Sequence, residues 1–454
     1  MTKFDLAVRG ATIVSERGRA QLDVHVSDGR IAYVGEPRDA VEEIDATGHL
    51  VMPGMVETHA HLMDPGDPER ETFPTGTSAA AVAGVTTIIE HTHSNPVRSR
   101  GDLEAKVAHL AGRSYIDFAL AAHAWPGASD QAKELWNAGA AYFKLFTCST
   151  HGIQGHRAAD IKDWLEALAR IDAPCLVHCE DESLTADAEV ALKAAGRTDP
   201  RVIVEWRNRA AEEVAVSTVG VLARITGARV VVAHCSSAAV VRTVEEARRS
   251  GANISAESCP QYFLLREGEI DSLGALRKFT PPARASTDDD EDAMWLALRS
   301  GQVAFVSSDH APSTVEQKLS GSLWQCHFGL PGLDTTMVLL LDAAARGKIA
   351  YEDVVSAYST RPAKTYGCWP AKGSLEPGAD ADLAIVDPYV KWTLDDSHVL
   401  SKAGWSPYSG RVVQGRVVRT ILRGKTVAVD HALAEGKPSG QFLAGPGLVT
   451  ERDL

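Results

Sequence analysis

The sequence predicts an α/β chain: a (β/α)8 barrel that carries one small β-domain assembled from both chain ends. Three observations point there. From about Val51 to about Gly367, apolar β-branched runs alternate with Ala-rich amphipathic stretches. A strand-and-turn texture occupies the first ~50 residues and returns near the end. His, Lys and Asp fall repeatedly at the C-terminal ends of the apolar runs, the barrel face on which active sites are built.

In chain order, LAVRGATIV and DVHVSDGRIAYVG read as strands separated by Gly or Asp-Gly turns. The strand-like runs of the central region begin with MVETHAH. VTTIIEHT, DFALAAHAW, AYFKLFT, PCLVHCED, RVVVAHCSS, NISAESCP and VAFVSSDHAPS follow. ADIKDWLEALARID, RAAEEVAVSTVGVLARITG and AAVVRTVEEARRSG carry helical spacing between them. An open doubly wound sheet is the alternative, but no G-x-G-x-x-G follows any of these strands. ADLAIVD and GRVVQGRVVRTILRGKTVAVD then restore the β texture. The expected division is residues 1–52 with 370–454 for the small domain and its C-terminal tail, and 53–369 for the barrel.

Composition narrows the function classes. A 44% hydrophobic share over 454 residues supplies a large core, and 23% charged residues without low-complexity tracts argue against disorder. The net charge of -14, with no basic block, speaks against nucleic acid or an anionic membrane as partner. Seven scattered cysteines with no C-x-x-C pair suit a reducing, cytoplasmic compartment. Neither a signal-peptide pattern nor an apolar run of membrane-spanning length is visible.

The histidines carry the chemistry. His59 and His61 form an H-x-H pair at a strand end, where residues two apart point the same way and can reach one metal. Alone the pair fits solvated or core histidines equally well, and a second H-x-H, His91 and His93, competes with it. His178 and His234 end two further strands, and Asp309 adds a carboxylate after the last. Four histidines and an aspartate exceed one tetrahedral site and suit two metals. Lys144 lies among apolar neighbours that desolvate it and lower its pKa. Its residue context leaves two readings open: a snorkelling lysine, or a neutral amine that takes up carbon dioxide as a carbamate able to bridge two cations.

The order GMVETHAHLMDPG, FKLFTCST, LVHCED, VVAHCSS, SAESCPQYF, KFTPPAR, VSSDHAPS and SLEPGADADLAIVD resembles the cyclic amidohydrolases over nearly the whole chain. That group comprises hydantoinases, dihydropyrimidinases, allantoinases and dihydroorotases, in the amidohydrolase superfamily. The resemblance implies a TIM-like barrel with a small β-sandwich domain and a tetramer. It implies two divalent metals, zinc with manganese or cobalt as alternatives. His59, His61, carboxylated Lys144 and Asp309 would hold the more buried metal, and His178 and His234 the second, with the carbamate bridging both. A hydroxide between the metals would attack a small-molecule cyclic amide, and Asp309 would move the proton.

Departures from the family pattern bear on the ring. Met63 stands where dihydroorotases place a carboxylate-binding arginine, and an apolar side chain cannot pair a carboxylate. Ser149 stands where D-hydantoinases and dihydropyrimidinases carry a tyrosine. FKLFTCSTHGI and GSLWQCHFGLPGLDTTM look more like allantoinases and L-type hydantoinases, although HTHSNP lacks the usual allantoinase segment. A five-membered ureide is therefore expected, with dihydroorotase or dihydropyrimidinase activity as the alternative. A non-catalytic relative or a mononuclear deaminase ranks behind both. Met63, His93, Ser149 and Trp324 are expected to line the pocket, backbone near Thr280 and Gly329 to Gly332 to contact the ring, and His310 to support its neighbours.

Overall fold

The computed structural model describes residues 3–449. Its central unit is a parallel barrel of eight strands among the described residues: β1 (Met55–Ala60), β2 (Val85–Glu90), β3 (Asp117–Leu120, resumed as Ala122–His123), β4 (Phe143–Phe146), β5 (Cys175–His178), β6 (Val230–Val232), β7 (Ile254–Ser258) and β8 (Val303–Val306). Each pairs in parallel with the next, as in Phe143↔Cys175 and Val230↔Ile254. The ring closes where Ala60 bridges His310 and the His61 amide donates to the His310 carbonyl at 2.8 Å. These are the eight runs expected from the sequence. Buried on both faces, they read as continuous Val/Ile/Leu stretches rather than alternating ones.

The three helical stretches singled out above form helices at Ala158–Arg170, Arg209–Thr226 and Ala238–Arg249. The second starts on the Asn208 side chain, which accepts from the Ala211 amide, and stops at Gly227, whose φ of 73° only glycine takes readily. Ile161, Trp164, Leu165 and Leu168 face the barrel from the first, the 3–4 spacing that made it legible.

The small domain stacks two sheets over Leu6, Val8, Val24, Ile31, Leu383 and Ile421. One has four strands from the N-terminal end, and the other has seven strands from both ends. Leu383–Thr393 pairs antiparallel with Leu50–Pro53, so the two chain ends meet in one sheet. Asp28-Gly29 and Arg423-Gly424 turn the hairpins, all four at positive φ, as two-residue turns with matching twist require. Beyond Leu433 the chain leaves this sheet and runs along the barrel. Phe118 donates to Gln441 O, and Leu443 donates back to Phe118 O.

Candidate metal centre

Strand pleating decides which side chains enter the barrel. In β4, Phe143 and Leu145 face outward, while Lys144 and Phe146 alternate inward. His178 is the last residue of β5, His234 lies two residues past β6, and Asp309 lies three past β8. All converge at the C-terminal mouth. They line one small chamber of about 20 Å3, room for little more than one or two water-sized species.

The inward atoms form two groups. His59 Nε2 and His61 Nε2 lie 3.2 and 3.4 Å from Asp309 Oδ1. His178 Nδ1 lies 2.9 Å from His234 Nε2. Lys144 Nζ is 3.3 Å from His59 Nε2 and shares the chamber with the second group. Lys144 is 1% exposed.

The outward ring nitrogens of His59, His61 and His178 are anchored, which sets their tautomers. His61 Nδ1 donates to the His91 carbonyl at 2.6 Å, so Nε2 keeps its lone pair for the chamber. His178 Nε2 donates to Glu180 Oε2 at 2.8 Å, which frees Nδ1 in the same way. Glu257 Oε1 stands 2.6 Å from His59 Nδ1. His234 Nδ1 is buried without a protein partner among the described residues. Burial holds His59 and His234 well below the ordinary histidine pKa, and lowers His178 against the opposing pull of Glu180. Neutral imidazoles with inward lone pairs, beside a carboxylate, are the donor set a divalent cation takes. The residues present therefore fit a metal.

The same physics acts on Lys144. Burial lowers its pKa below the ordinary lysine value, although Glu257 and Asp309 pull the other way. Burial raises the Glu257 carboxyl, opposed by Lys144. Glu180 behaves differently. Burial pushes it up, but Arg207, His178 and Thr280 outweigh that and bring it down to about 2, so it stays ionised. Glu57 ties the two ends of the site together: its carboxylate accepts from the amides of His59 (2.8 Å) and Ser308 (2.9 Å) and from Tyr358 Oη (2.8 Å).

Four residues here are strained. Met63, His151, His234 and Asp309 all have positive φ, between 37° and 56°, which β-carbon-bearing residues avoid. Such strain persists where surrounding contacts over-determine the backbone.

Beside the chamber opens a cavity of about 470 Å3, with His93 and His151 in the wall common to both. Met63, Arg70, Trp324 and Phe328 also line it. Its volume falls in the range of small-molecule pockets. Several expected contacts are thus brought to the site: Met63, His93 and Trp324 to the cavity, Thr280 and Gly329 to the metal chamber. Ser149 is not. It is exposed on the lysine loop, with its Oγ accepting from the Gly155 amide, and His151 takes the place at the wall. The Gly332 amide is occupied, donating to His310 Nδ1 at 3.1 Å. His310 is buried among that contact and Glu71, as a support.

Sequence reasoning missed the carboxylates behind the histidines, Glu57, Glu180 and Glu257, and also His151; His91 was seen only as part of the competing H-x-H pair. The His91 ring comes within 4.8 Å of the His59 and His61 ligand atoms, and its own nitrogens have no partner among the described residues. A signal existed: each glutamate interrupts or ends an apolar strand, where an unpaired charge is costly.

The sequence profile described as "Amidohydrolase family" matches residues 50–427. The chain belongs to the amidohydrolase family. Among curated proteins, this amidohydrolase is similar to an allantoinase of Rubrobacter xylanophilus, 35% identical over 452 residues, covering 98% of each chain. An allantoinase of Salmonella choleraesuis is 32% identical, covering 97% of this chain and 98% of the relative. Among solved structures, the L-hydantoinase (dihydropyrimidinase) from Arthrobacter aurescens superposes with a TM-score of 0.93 at 29% identity, over 97% of this chain and all of that one (100%). Family, fold and the histidine-rich chamber together make the protein a metal-dependent cyclic amidohydrolase, an enzyme of C–N bond hydrolysis.

Proposed function

We propose that the enzyme opens the amide of a five-membered cyclic ureide, as a hydantoinase or allantoinase, using two divalent cations held by six side chains. His59, His61 and Asp309 would hold one cation and His178 and His234 the other, with Lys144, as its carbamate, a ligand to both. The observation that carries this is the convergence of all six in one 20 Å3 chamber that opens on a 470 Å3 cavity. Zinc is the proposed metal; the same donors also accept manganese or cobalt. Such cations would supply Lewis acidity for the scissile carbonyl and for activating water.

The chain's own groups do the rest. Water adds across the C–N bond: its oxygen goes to the carbonyl carbon and a proton to the ring nitrogen. Asp309, with 14% of its side chain exposed at the mouth, accepts that proton and returns it to the leaving nitrogen in this reading. Thr280 and Gly329, on the chamber wall, face the ring. His93 and His151 form the threshold between ring and substituent.

The five-membered ring is supported by the two relatives named as allantoinases, by the likeness to the L-hydantoinase, and by Met63 in the cavity wall. A dihydropyrimidine ring is the second reading, supported by a TM-score of 0.91 to the dihydropyrimidinase from Brevibacillus agri at 26% identity. A cytoplasmic location belongs to the same proposal, supported by seven cysteines that are all free. Among the described residues no helix is long and apolar enough to cross a membrane. Assembly as a homotetramer belongs to the same proposal; Val214, Val221 and Ile225, exposed along one helix face, offer an apolar surface for a contact between copies.

The test is ring opening of hydantoin, allantoin, dihydrouracil and dihydroorotate by metal-quantified enzyme. Turnover of hydantoin and allantoin is expected to exceed that of the six-membered rings. Dihydroorotate as the sole substrate would contradict the proposal.

A further inference from the structure

The cavity beside the metal chamber contains a cation, Arg70, with no ion-pair partner among the described residues, although Asp67 also lines the cavity. Arg70 is buried, at 7% exposure, and lines the cavity together with Met63, His93 and His151. Its Nε donates to the Pro312 carbonyl at 2.9 Å and to Ser313 Oγ at 3.0 Å. Those two residues lie three and four positions past Asp309, so the guanidinium is fixed relative to the strand end that carries the proton-moving carboxylate. Its two terminal nitrogens are another matter. Nη2 is fully buried without a partner, neither nitrogen has a protein acceptor among the described residues, and no carboxylate forms an ion pair with the group. Asp67 acts on it only at longer range, and burial lowers its pKa to about 10, which leaves it charged at neutral pH.

The contrast with Lys278, on the same wall, is informative. Its ammonium is equally buried but committed, donating to the carbonyls of Leu323 (2.6 Å) and Cys326 (2.5 Å). Lys318 behind it donates to the carbonyls of Lys278, His327 and Gly329. Both lysines hold the loop that forms the far wall. On this cavity wall, among the described residues, Arg70 keeps guanidinium donors without acceptors, and an unsatisfied buried charge is costly unless a ligand completes it.

We propose that Arg70 is a specificity-determining residue that binds the ring substituent, selecting one that ends in a planar oxygen acceptor, either a ureido carbonyl or a carboxylate. The fork can donate in parallel to the two oxygens of a carboxylate, or converge on the single oxygen of a ureido carbonyl; an alkyl or aryl substituent has no acceptor to offer. The scissile ring sits toward the metals and the substituent reaches past His93 and His151 into the 470 Å3 cavity. This inference rests on the ring-opening function proposed above.

The test compares kcat/KM of wild type and Arg70→Met on four substrates: allantoin (ureido), hydantoin-5-acetate (carboxylate), hydantoin itself and 5-isopropylhydantoin. The readout is the ratio of the acceptor-bearing substrates to 5-isopropylhydantoin. It is expected to fall about 10- to 100-fold in Arg70→Met, the factor carried by a lost charge-assisted hydrogen bond. A loss confined to allantoin assigns a ureido site, and a loss confined to hydantoin-5-acetate assigns a carboxylate site; either supports the proposal. An equal loss on all four substrates, the signature of a mere brace for residues 312–313, overturns it. Should Arg70→Met not fold, Arg70→Gln keeps one donor, and its ratio is expected to fall about 3- to 10-fold. An unchanged ratio in a folded variant overturns the proposal. Wild-type enzyme that opens none of the four rings with its metals in place would instead refute the ring-opening function, and this inference with it.

Discussion

Glu180 offers the sharpest way to separate the two halves of the metal centre. One oxygen of this buried carboxylate accepts from His178 Nε2 (2.8 Å), Thr280 Oγ1 (2.7 Å) and Arg207 Nη1 (3.3 Å). It therefore holds the His178 ring with Nδ1 inward and neutralises Arg207, itself 2% exposed. Glu180→Gln keeps an acceptor but removes the charge, converting three charge-assisted hydrogen bonds into neutral ones. Glu180→Ala removes the acceptor altogether. Supporting groups of this kind change metal affinity by about 10- to 100-fold, roughly 1.4 to 2.7 kcal/mol. The glutamine belongs at the low end and the alanine at the high end. Loss of the Arg207 partner costs stability as well, about 3 kcal/mol, because a buried charge is left uncompensated. Since Glu180 is held near 2, it is ionised throughout the neutral range and the comparison is free of its titration. The assay is calorimetric titration of metal-free enzyme with zinc, resolved into two sites. The site containing His178 and His234 should weaken as stated, while that containing His59, His61 and Asp309 stays within about threefold. Equal weakening of both sites, or wild-type affinities in folded Glu180→Ala, would refute the assignment.

Burial lowers the Lys144 pKa below the ordinary 10.5, and only the neutral amine adds carbon dioxide. Reactivation of metal-stripped, carbonate-depleted enzyme by bicarbonate and zinc should therefore speed up as pH rises, with a midpoint below 10.5; a midpoint at the free-lysine value would contradict the desolvation. Asp309→Asn should retain metal content within about one equivalent but lose about 100-fold or more in kcat, the contribution of a positioned proton carrier; full kcat would remove Asp309 from that role. In the C-terminal tail, a Cβ on Gly440 would sit 1.8 Å from the Ile116 carbonyl oxygen. Gly440→Ala should lower stability by about 1–3 kcal/mol in thermal or urea unfolding without altering kcat/KM per folded enzyme; an unchanged midpoint would show that the tail does not dock on the barrel as described.

Much of this architecture is legible in the residues because burial leaves a coarse trace. The barrel strands are apolar on both faces, so they stand out as runs. Asp28-Gly29 marks its hairpin because few residue pairs tolerate two successive positive φ values. The histidines His59, His61, His178 and His234 were visible because each ends such a run, where a polar ring needs a reason. The glutamates behind them escaped notice for a physical reason. A glutamate at a strand end is as readily a solvated charge as a buried acceptor, and only the closed ring shows that Glu257 faces His59 across the barrel. Position within a loop was the weakest inference of all. Ser149 has the right spacing from Lys144, but the loop turns back on itself at the Thr150–Ile153 bridge and puts His151, at positive φ, on the cavity wall instead. Arg70 lay in a charged, Pro-rich segment that resembles an ordinary exposed loop, and its burial depends on Pro312 and Ser313, far away in the chain.

The most direct measurement is metal stoichiometry, by elemental analysis of zinc-replete enzyme alongside the Lys144→Ala variant, with intact mass spectrometry of both. A bridged two-cation centre predicts two zinc ions per chain, a carbon dioxide adduct on Lys144, and loss of at least one ion and of activity in the variant. Two ions and full activity retained in Lys144→Ala, or a single ion in the replete wild type, would contradict it.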